Sequence, residues 1–125
     1  MLLKQRRVLL VDDDHHVRIL LKTFLETRGY MVELAVNGLD AVTKLGEADY
    51  DIVVTDYNMP EVNGLGVLWY IREHRPSIRV VLMTGTDRMF PSTDAQQLMG
   101  LRAQAYLVKP FELRQLEQTL ANVLS

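Results

Sequence analysis

Two patterns of apolar residues alternate along the chain. Short unbroken runs, at 8–11 and 52–54, are typical of strands that are buried on both faces. Longer stretches repeat apolar residues every three or four positions, as amphipathic helices do. Strands are predicted at 7–11, 31–36, 52–56, 78–83 and 105–108. Helices are predicted between 14 and 29, at 38–47, at 64–74, within 87–104 and at 112–124.

The first helix and the second strand have the clearest predicted faces. Asp14 is predicted to cap the first helix, and Gly29 to follow its last turn. The second strand alternates, so Val32, Leu34 and Val36 are predicted to share one face. The inward residues of the first helix are predicted to be Val17, Leu20, Leu21, Phe24 and Leu25.

Five strands that each lead into a helix predict a parallel sheet with helices on both faces, because every parallel connection must cross over the sheet in the right-handed sense. The expected fold is therefore α/β, a doubly wound five-stranded parallel sheet flanked by five helices. In the strand order 2-1-3-4-5, the carboxyl ends of the first and third strands lie side by side. In open α/β sheets the ligand-binding crevice forms at such a position.

Composition narrows the class of protein. The 125 residues suit one domain, 1–125, with 1–6 as an irregular lead-in. A net charge of −2 provides no basic surface for nucleic acid, and the absence of cysteine excludes disulfides and thiol chemistry. No apolar run approaches the ~18 residues that indicate a membrane span, and the start of the chain is too short for a signal peptide. We expect a cytoplasmic protein without direct contact to nucleic acid or membrane.

Carboxylates follow two of the predicted strands. Asp12, Asp13 and Asp14 come directly after the first strand, and Asp56 ends the third. Side by side, these acids would repel one another and raise each other's pKa unless a proton, a basic side chain or a cation offsets the charge. Oxygen ligands without cysteine or histidine favour Mg²⁺. The acids therefore predict a Mg²⁺ site at this edge of the sheet.

A hydroxyl and an ammonium group are predicted at the same edge. Thr84 ends the fourth strand and Lys109 ends the fifth. Together with a metal ion, these two donors would hold an anion, which predicts a phosphoryl-transfer site. Asp56 is the predicted nucleophile, and Asp12 and Asp13 are the predicted metal binders. Thr84 and Lys109 are then expected to hold phosphoryl oxygens.

Four motifs at these strand ends occur together in one known family. They are Val11-Asp12-Asp13-Asp14, Asp56-Tyr57-Asn58-Met59-Pro60 followed by Gly64, Met83-Thr84-Gly85, and Tyr106-Leu107-Val108-Lys109-Pro110-Phe111. In these motifs the chain resembles the receiver domains of two-component response regulators, over essentially its whole length. Each motif alone is a weak signal, but four in order are a strong one. The resemblance implies the flavodoxin-like receiver fold and a function in signal transduction.

The resemblance assigns roles to the acids. It implies that Asp56 accepts a phosphoryl group from the phosphohistidine of a histidine kinase or phosphotransfer protein. It also implies that Asp13 and Asp56 bind Mg²⁺ together with the backbone carbonyl of Asn58, while Asp12 acts mainly through metal-bound water. Such a domain is not a general enzyme, because it catalyses only its own phosphorylation and dephosphorylation.

Further roles implied by the resemblance concern the switch. Lys109 is expected to pair with the acyl phosphate, and the Lys109–Pro110 peptide bond is expected to be cis. Thr84 would move toward the phosphoryl group, and Tyr106 would then turn from an exposed to a buried position. This changes the face formed by the fourth predicted helix, the fifth strand and the last helix. That face would bind a downstream target that the residues do not specify, or a second copy of the chain.

Other functions use some of the same residues. A haloacid-dehalogenase-like, Mg²⁺-dependent phosphatase would use Asp12 as nucleophile and Asp14 as acid/base, but the chain lacks an acidic pair after Lys109 and room for capping segments. A flavin binder is disfavoured because the acidic triplet would repel phosphate. A receiver-like module that is never phosphorylated is the third alternative, and the complete set of acids, threonine and lysine argues against it.

Some residues depart from the family pattern or need no special role. Arg102-Ala103-Gln104-Ala105 replaces the Gly-Ala pair that commonly precedes the fifth strand, and the link between Thr84 and Lys109 is slightly long, with the surplus at 89–93. His15 and His16 are predicted to lie in a solvated first helical turn, because a Mg²⁺ site does not recruit imidazole.

Overall fold

The computed structural model describes residues 5–59, 62–85 and 100–125. Strands and helices alternate within these ranges. The strands are β1 (Arg7–Val11), β2 (Met31–Ala35), β3 (Ile52–Asp56), β4 (Arg79–Gly85) and β5 (Ala105–Lys109). The helices are α1 (His15–Thr27), α2 (Gly38–Glu47), α3 (Gly64–His74) and α4 (Leu113–Leu124). The helix predicted within 87–104 and the surplus at 89–93 fall mainly on residues 86–99, which lie outside the described part.

All five strands are parallel and form one sheet in the order β2-β1-β3-β4-β5, as predicted. The central strand β3 is buried at every position, because helices cover both faces of the sheet there. None of the four described helices is both long enough and apolar enough to cross a membrane.

Each face of the sheet carries its own hydrophobic core. Alternate residues of β1 and β3 point to opposite faces, so Leu9 and Val53 enter one core while Leu10 and Val54 enter the other. The first core is completed by α2 and α3, and the second by α1 and α4. The central strands are thus covered on both faces, and their carboxyl ends present the polar groups of interest.

The ends of α1 follow the sequence prediction. The Asp14 carboxylate accepts hydrogen bonds from the backbone N–H groups of His16 and Val17. The bond from Val17 is the main reason why the pKa of Asp14 lies below its ordinary value. Past the other end of the helix, Gly29 has φ of 92°, a conformation that glycine adopts at little cost.

Two predictions about apolar residues differ from the structure. Leu20 is 55% exposed, because α1 turns the side that bears Leu21 and Leu25 toward the sheet and the Leu20 side away from it. Val36 is 46% exposed, because β2 ends at Ala35 and the alternation stops with it. The inward prediction is wrong for Leu20, and the predicted strand 31–36 is one residue longer than β2, whereas Val17 and Phe24 pack partly against the core.

The start of α3 is pressed against the end of β3. The backbone N–H of Gly64 donates to the carbonyl oxygen of Tyr57 at 2.9 Å. A Cβ atom at Gly64 would lie 2.7 Å from the carbonyl oxygen of Asp56 and 2.8 Å from the Cα of Tyr57, closer than side-chain carbons tolerate. Glycine is therefore required here by the close approach of two backbone segments.

At the amino end of the sheet, Arg72 of α3 joins three segments. Its guanidinium donates to the carbonyl oxygens of Ile78 at 3.2 Å and Arg102 at 2.8 Å, and to Gln104 Oε1 at 3.0 Å. Gln104 Oε1 also accepts from the backbone N–H of Val80 at 2.7 Å. This network ties α3 to β4 and to the segment that leads into β5.

Candidate functional site

The sheet order brings the acids of two strands together. β1 lies beside β3, and the last pair in their register is Val11 with Thr55. Asp12 and Asp56 each follow that pair by one residue, so they lie side by side at the carboxyl end of the sheet. Among the described residues, Asp12, Asp13 and Asp56 each offer a carboxylate oxygen within 4.8 Å of the other two. The predicted acidic cluster is therefore present.

The three acids differ in their access to solvent. Asp12 is fully buried and Asp56 is 9% exposed, whereas Asp13 is exposed. Burial is the main reason why the pKa of Asp56 is raised above its ordinary value, and the charge of Asp12 adds to this while Lys109 opposes it. On the buried side of the cluster, the carboxylates of Asp12 and Asp56 repel each other. On the other side, Asp13 is open to solvent.

Among the described residues, one ammonium group reaches the cluster, from the carboxyl end of the edge strand β5. Lys109 Nζ lies 3.0 Å from Asp12 Oδ2 and 3.4 Å from Asp56 Oδ2. Burial lowers the pKa of Lys109, but its contacts with Asp12 and Asp56 outweigh that effect, and the net pKa is raised. The lysine stays charged and offsets one of three carboxylates. The Lys109–Pro110 peptide bond that follows is cis.

Charge and donor type together make this a suitable place for a cation. Three carboxylates and one ammonium leave an excess of negative charge at a partly buried position, which is unfavourable without a counterion. The ligands are all oxygens, as hard divalent cations require. The residues present therefore fit a Mg²⁺ ion.

Two neighbouring residues, Asp14 and Asn58, contact the acids through their backbone N–H groups. The third acid of the triplet, Asp14, is committed to the cap of α1, and its backbone N–H donates to Asp12 Oδ1 at 2.9 Å. The backbone N–H of Asn58 donates to Asp56 Oδ1 at 3.3 Å, and its side chain is exposed. Both contacts orient carboxylates of the cluster.

Sequence comparison with known families decides the identity of this arrangement. The family model for the response regulator receiver domain matches residues 8–121, which include every residue of the site. The chain belongs to the response regulator receiver domain family. The phosphatase alternative, with Asp12 as nucleophile, is not favoured by this match.

Known receivers resemble the chain in both sequence and fold. Transcriptional regulatory protein ZraR of Klebsiella oxytoca is 37% identical over 122 residues, covering 98% of this chain and 27% of that protein. Chemotaxis protein CheY4 of Vibrio cholerae has a TM-score of 0.85 at 29% identity, covering 97% and 100% of the two chains. Response regulator TrrA of Thermotoga maritima, in complex with Mg²⁺ and BeF, has a TM-score of 0.81 at 32% identity, covering 96% and 100%. The chain spans less than half the length of the curated relatives it matches.

The two predicted switch residues of this receiver domain lie in different settings. Thr84 is 6% exposed near the end of β4, the strand beside β3, and pairs with Val108 in the sheet. Tyr106 is 44% exposed, and its hydroxyl oxygen accepts a hydrogen bond from the backbone N–H of Ala103 at 3.3 Å. Thr84 therefore belongs to the edge that carries the acids, while Tyr106 lies outward on β5.

Sequence reasoning missed one residue that contacts the receiver's acidic edge. The Arg18 Nη1 donates to the backbone carbonyl oxygen of Asp12 at 2.7 Å. Because every residue has a backbone carbonyl, the acceptor leaves no mark in the sequence. The available signal was a basic residue one helical turn after the Asp14 cap, on the side of the acids.

Proposed function

We propose that this receiver domain accepts a phosphoryl group on Asp56 from the phosphohistidine of a histidine kinase or phosphotransfer protein, in a Mg²⁺-dependent reaction. The observation that carries the proposal is the cluster of three carboxylates within 4.8 Å of one another, with Lys109 on two of them. A carboxylate oxygen of Asp56 forms the new bond to phosphorus, and the phosphorus–nitrogen bond to the donor imidazole breaks. The product is an acyl phosphate.

The local contacts favour Asp56 over Asp12 as the nucleophile. The Asp12 side chain is 1% exposed and is held by Lys109 at 3.0 Å and by the Asp14 N–H at 2.9 Å. The Asp56 side chain is 12% exposed, and its contacts with Lys109 and the Asn58 N–H are longer, at 3.4 and 3.3 Å. A nucleophile has to reach an external phosphorus atom, which a fully enclosed carboxylate cannot do.

Residues around Asp56 have supporting roles in the proposal. Asp13, Asp56 and the backbone carbonyl of Asn58 would hold Mg²⁺, with Asp12 acting through its water shell. The ion supplies charge neutralisation for the carboxylates and the incoming phosphoryl oxygens. Lys109 keeps its proton beside Asp56 and offers it to a phosphoryl oxygen as charge develops there. The Mg²⁺–BeF complex of TrrA supports this ion.

The phosphorylated state would act through Thr84 and Tyr106. New phosphoryl oxygens attract the Thr84 hydroxyl, and the outward Tyr106 ring then occupies the space beside it. The phosphate biases two existing states through its different interactions with them. The changed face is formed by the helix predicted within 87–104, by β5 and by the last helix, α4. It would bind an output domain, a target protein or a second copy of the chain. As one domain, 1–125, the receiver would act in the cytoplasm, without direct contact to nucleic acid or membrane.

Intact-mass measurement tests the phosphoacceptor. The chain is incubated with acetyl phosphate or phosphoramidate, with and without Mg²⁺, beside the Asp56→Asn variant. One phosphate is expected on the native chain with Mg²⁺ and none on the variant. Asp51→Asn is the matched control, because Asp51 precedes the same strand at its opposite end and accepts from the Arg7 N–H. Phosphate on Asp12, or on the Asp56→Asn variant, would contradict the assignment.

NMR of the Tyr106 ring tests the switch. Beryllofluoride with Mg²⁺ stands in for the phosphoryl group, and the ring signals of Tyr106 are compared before and after its addition. We expect the ring to move from a solvent-exposed to a buried environment. Unchanged ring signals, at a concentration that saturates the site, would refute the role of Tyr106 while leaving the phosphoacceptor assignment standing.

A further inference from the structure

A single cation of α1 touches the backbone beneath the acidic cluster. Arg18 is partly buried, and its Nη1 donates to the carbonyl oxygen of Asp12 at 2.7 Å. Its Nη2 lies 3.5 Å from His15 Nδ1. Two contacts on one planar guanidinium restrict its rotation, which a single contact on a flexible ammonium would not do.

The contact with Asp12 has a consequence for Asp13. A peptide unit is planar, so the position of the Asp12 carbonyl oxygen sets the orientation of the Asp13 nitrogen and of the Asp13 Cα that follows it. The neighbouring backbone is already fastened, because the Asp12 N–H donates to the Ala35 carbonyl at 3.3 Å and the Asp14 N–H donates to Asp12 Oδ1 at 2.9 Å. Arg18 adds a third bond to the backbone of residues 12–14, at the Asp12 carbonyl oxygen.

Asp13 is the acid that most needs such support. It is the one exposed member of the cluster, whereas Asp12 and Asp56 are held by burial and by Lys109. Repulsion from two buried carboxylates pushes the exposed one toward solvent. Within the described residues, the salt bridges do not include Arg18, so its contribution is directional.

We propose that Arg18 is a positioning residue, whose bond to the Asp12 carbonyl keeps the Asp13 carboxylate in the cluster and so prepares the site for Mg²⁺. The inference rests on the proposed function, because it concerns the same site. Groups that orient metal ligands from behind change metal affinity by roughly 10–100-fold when removed. Positioning and charge predict opposite results here, because loss of a nearby positive charge by itself strengthens cation binding.

Calorimetric titration with Mg²⁺ separates the two effects. Arg18→Met is expected to bind Mg²⁺ about tenfold more weakly than the native chain. Lys22→Met is the matched control, because it removes one positive charge from the same helix, where Lys22 pairs with Glu26. Arg18→Lys keeps the charge and one donor, and is expected to recover part of the affinity. Unchanged or tighter binding by Arg18→Met would overturn the inference.

A metal-free measurement keeps the inference separate from the proposed function. Amide hydrogen exchange at Asp13 and Asp14 is measured by NMR without Mg²⁺, where Arg18→Met is expected to exchange faster at these amides and Lys22→Met is not. Equal exchange in Arg18→Met and the native chain would overturn the positioning role. A native chain that neither binds Mg²⁺ nor takes up phosphate would refute the proposed function, and the exchange result would still decide the role of Arg18.

Discussion

The two ends of the parallel sheet treat charge in opposite ways. At the carboxyl end, three carboxylates lie together, and Lys109, their one ammonium partner among the described residues, contacts two of them. Burial is the main reason why the pKa of Asp56 is raised. At the amino end, Arg72, Asp51 and Arg75 each have hydrogen-bond partners of their own. Arg72 has three acceptors, and Asp51 Oδ2 accepts from the Arg7 N–H at 2.8 Å. Arg75 donates to the Leu45 carbonyl.

The difference indicates how the fold distributes stability and chemistry. Groups at the amino end satisfy backbone carbonyls and fasten helices to strands, so they stabilise the folded state. Carboxylates at the other end are crowded together, and crowding of like charges costs stability. Removal of a carboxylate should therefore change stability with opposite signs at the two ends, and only substitutions at the carboxyl end should change the response to Mg²⁺.

The largest effect is expected from Lys109→Met. The variant leaves Asp12 as a buried charge without its ammonium partner, so the free energy of unfolding should fall by about 3 kcal/mol without Mg²⁺. Added Mg²⁺ should recover part of this loss, because it supplies the missing positive charge. Urea denaturation with and without the ion measures both. Lys22→Met, whose pair is exposed, should change stability by less than about 1 kcal/mol. Equal losses in the two variants would contradict the comparison.

Arg72→Met should lower the free energy of unfolding by about 2 kcal/mol, because the Ile78 and Arg102 carbonyls lose a charged donor. The affinity for Mg²⁺ should stay unchanged, since the site lies at the opposite end of the sheet. Denaturation and calorimetry on the same sample provide the test. A change in Mg²⁺ affinity with unchanged stability would show that the two ends are not separate.

Stabilisation by Mg²⁺ itself comes next in size. At ten times its dissociation constant, the ion should raise the free energy of unfolding by about 1.4 kcal/mol. Thermal denaturation should show the gain in the native chain and in Arg72→Met. Asp13→Asn should show little or none at that concentration, because a ligand is lost. An equal gain in Asp13→Asn would remove Asp13 from the metal site.

The smallest effect concerns Asp13→Asn without Mg²⁺. Removal of one of three crowded charges should stabilise the fold, by only about 0.5 kcal/mol because Asp13 is exposed. Asp51→Asn, at the amino end, should have the opposite sign, because it weakens the hydrogen bond from the Arg7 N–H. Side-by-side urea denaturation compares the two signs. Two losses of equal size would contradict the picture of a crowded carboxyl end.

Strand positions and the acidic edge could be predicted because their signals are local. An apolar run followed by Asp12 or Asp56 places a carboxylate at a strand end, and parallel strands bring such ends together. Leu20 was mispredicted because helical spacing gives a broad apolar stripe, whereas its centre is decided by the packing of α1 on the sheet. The end of the second strand was placed one residue too late, at Val36, because an alternating pattern does not indicate where the hydrogen bonding between strands ends.

Apart from the helix cap at Asp14, the contacts of side chains with backbone atoms described above could not be predicted. The bonds of Arg18 to the Asp12 carbonyl and of Arg72 to the Arg102 carbonyl use acceptors present at every position. In the sequence, Gln104 stands out only as part of a departure from the family pattern. In the structure its side-chain oxygen accepts from both Arg72 and the Val80 N–H. Such bonds form only in the folded chain, because the packing of the helices on the sheet decides which acceptor each side chain reaches.

The glycine at the start of α3 brings the backbone of that helix into direct contact with the end of β3. With no side chain at Gly64, the helix terminus rests directly on the Asp56 carbonyl and is bonded to the Tyr57 carbonyl. There is no compressible layer between them. A displacement of the main chain at Asp56 would therefore act first on the amino-terminal turn of α3, whereas Arg72 and its link to Gln104 lie at the far end of the helix.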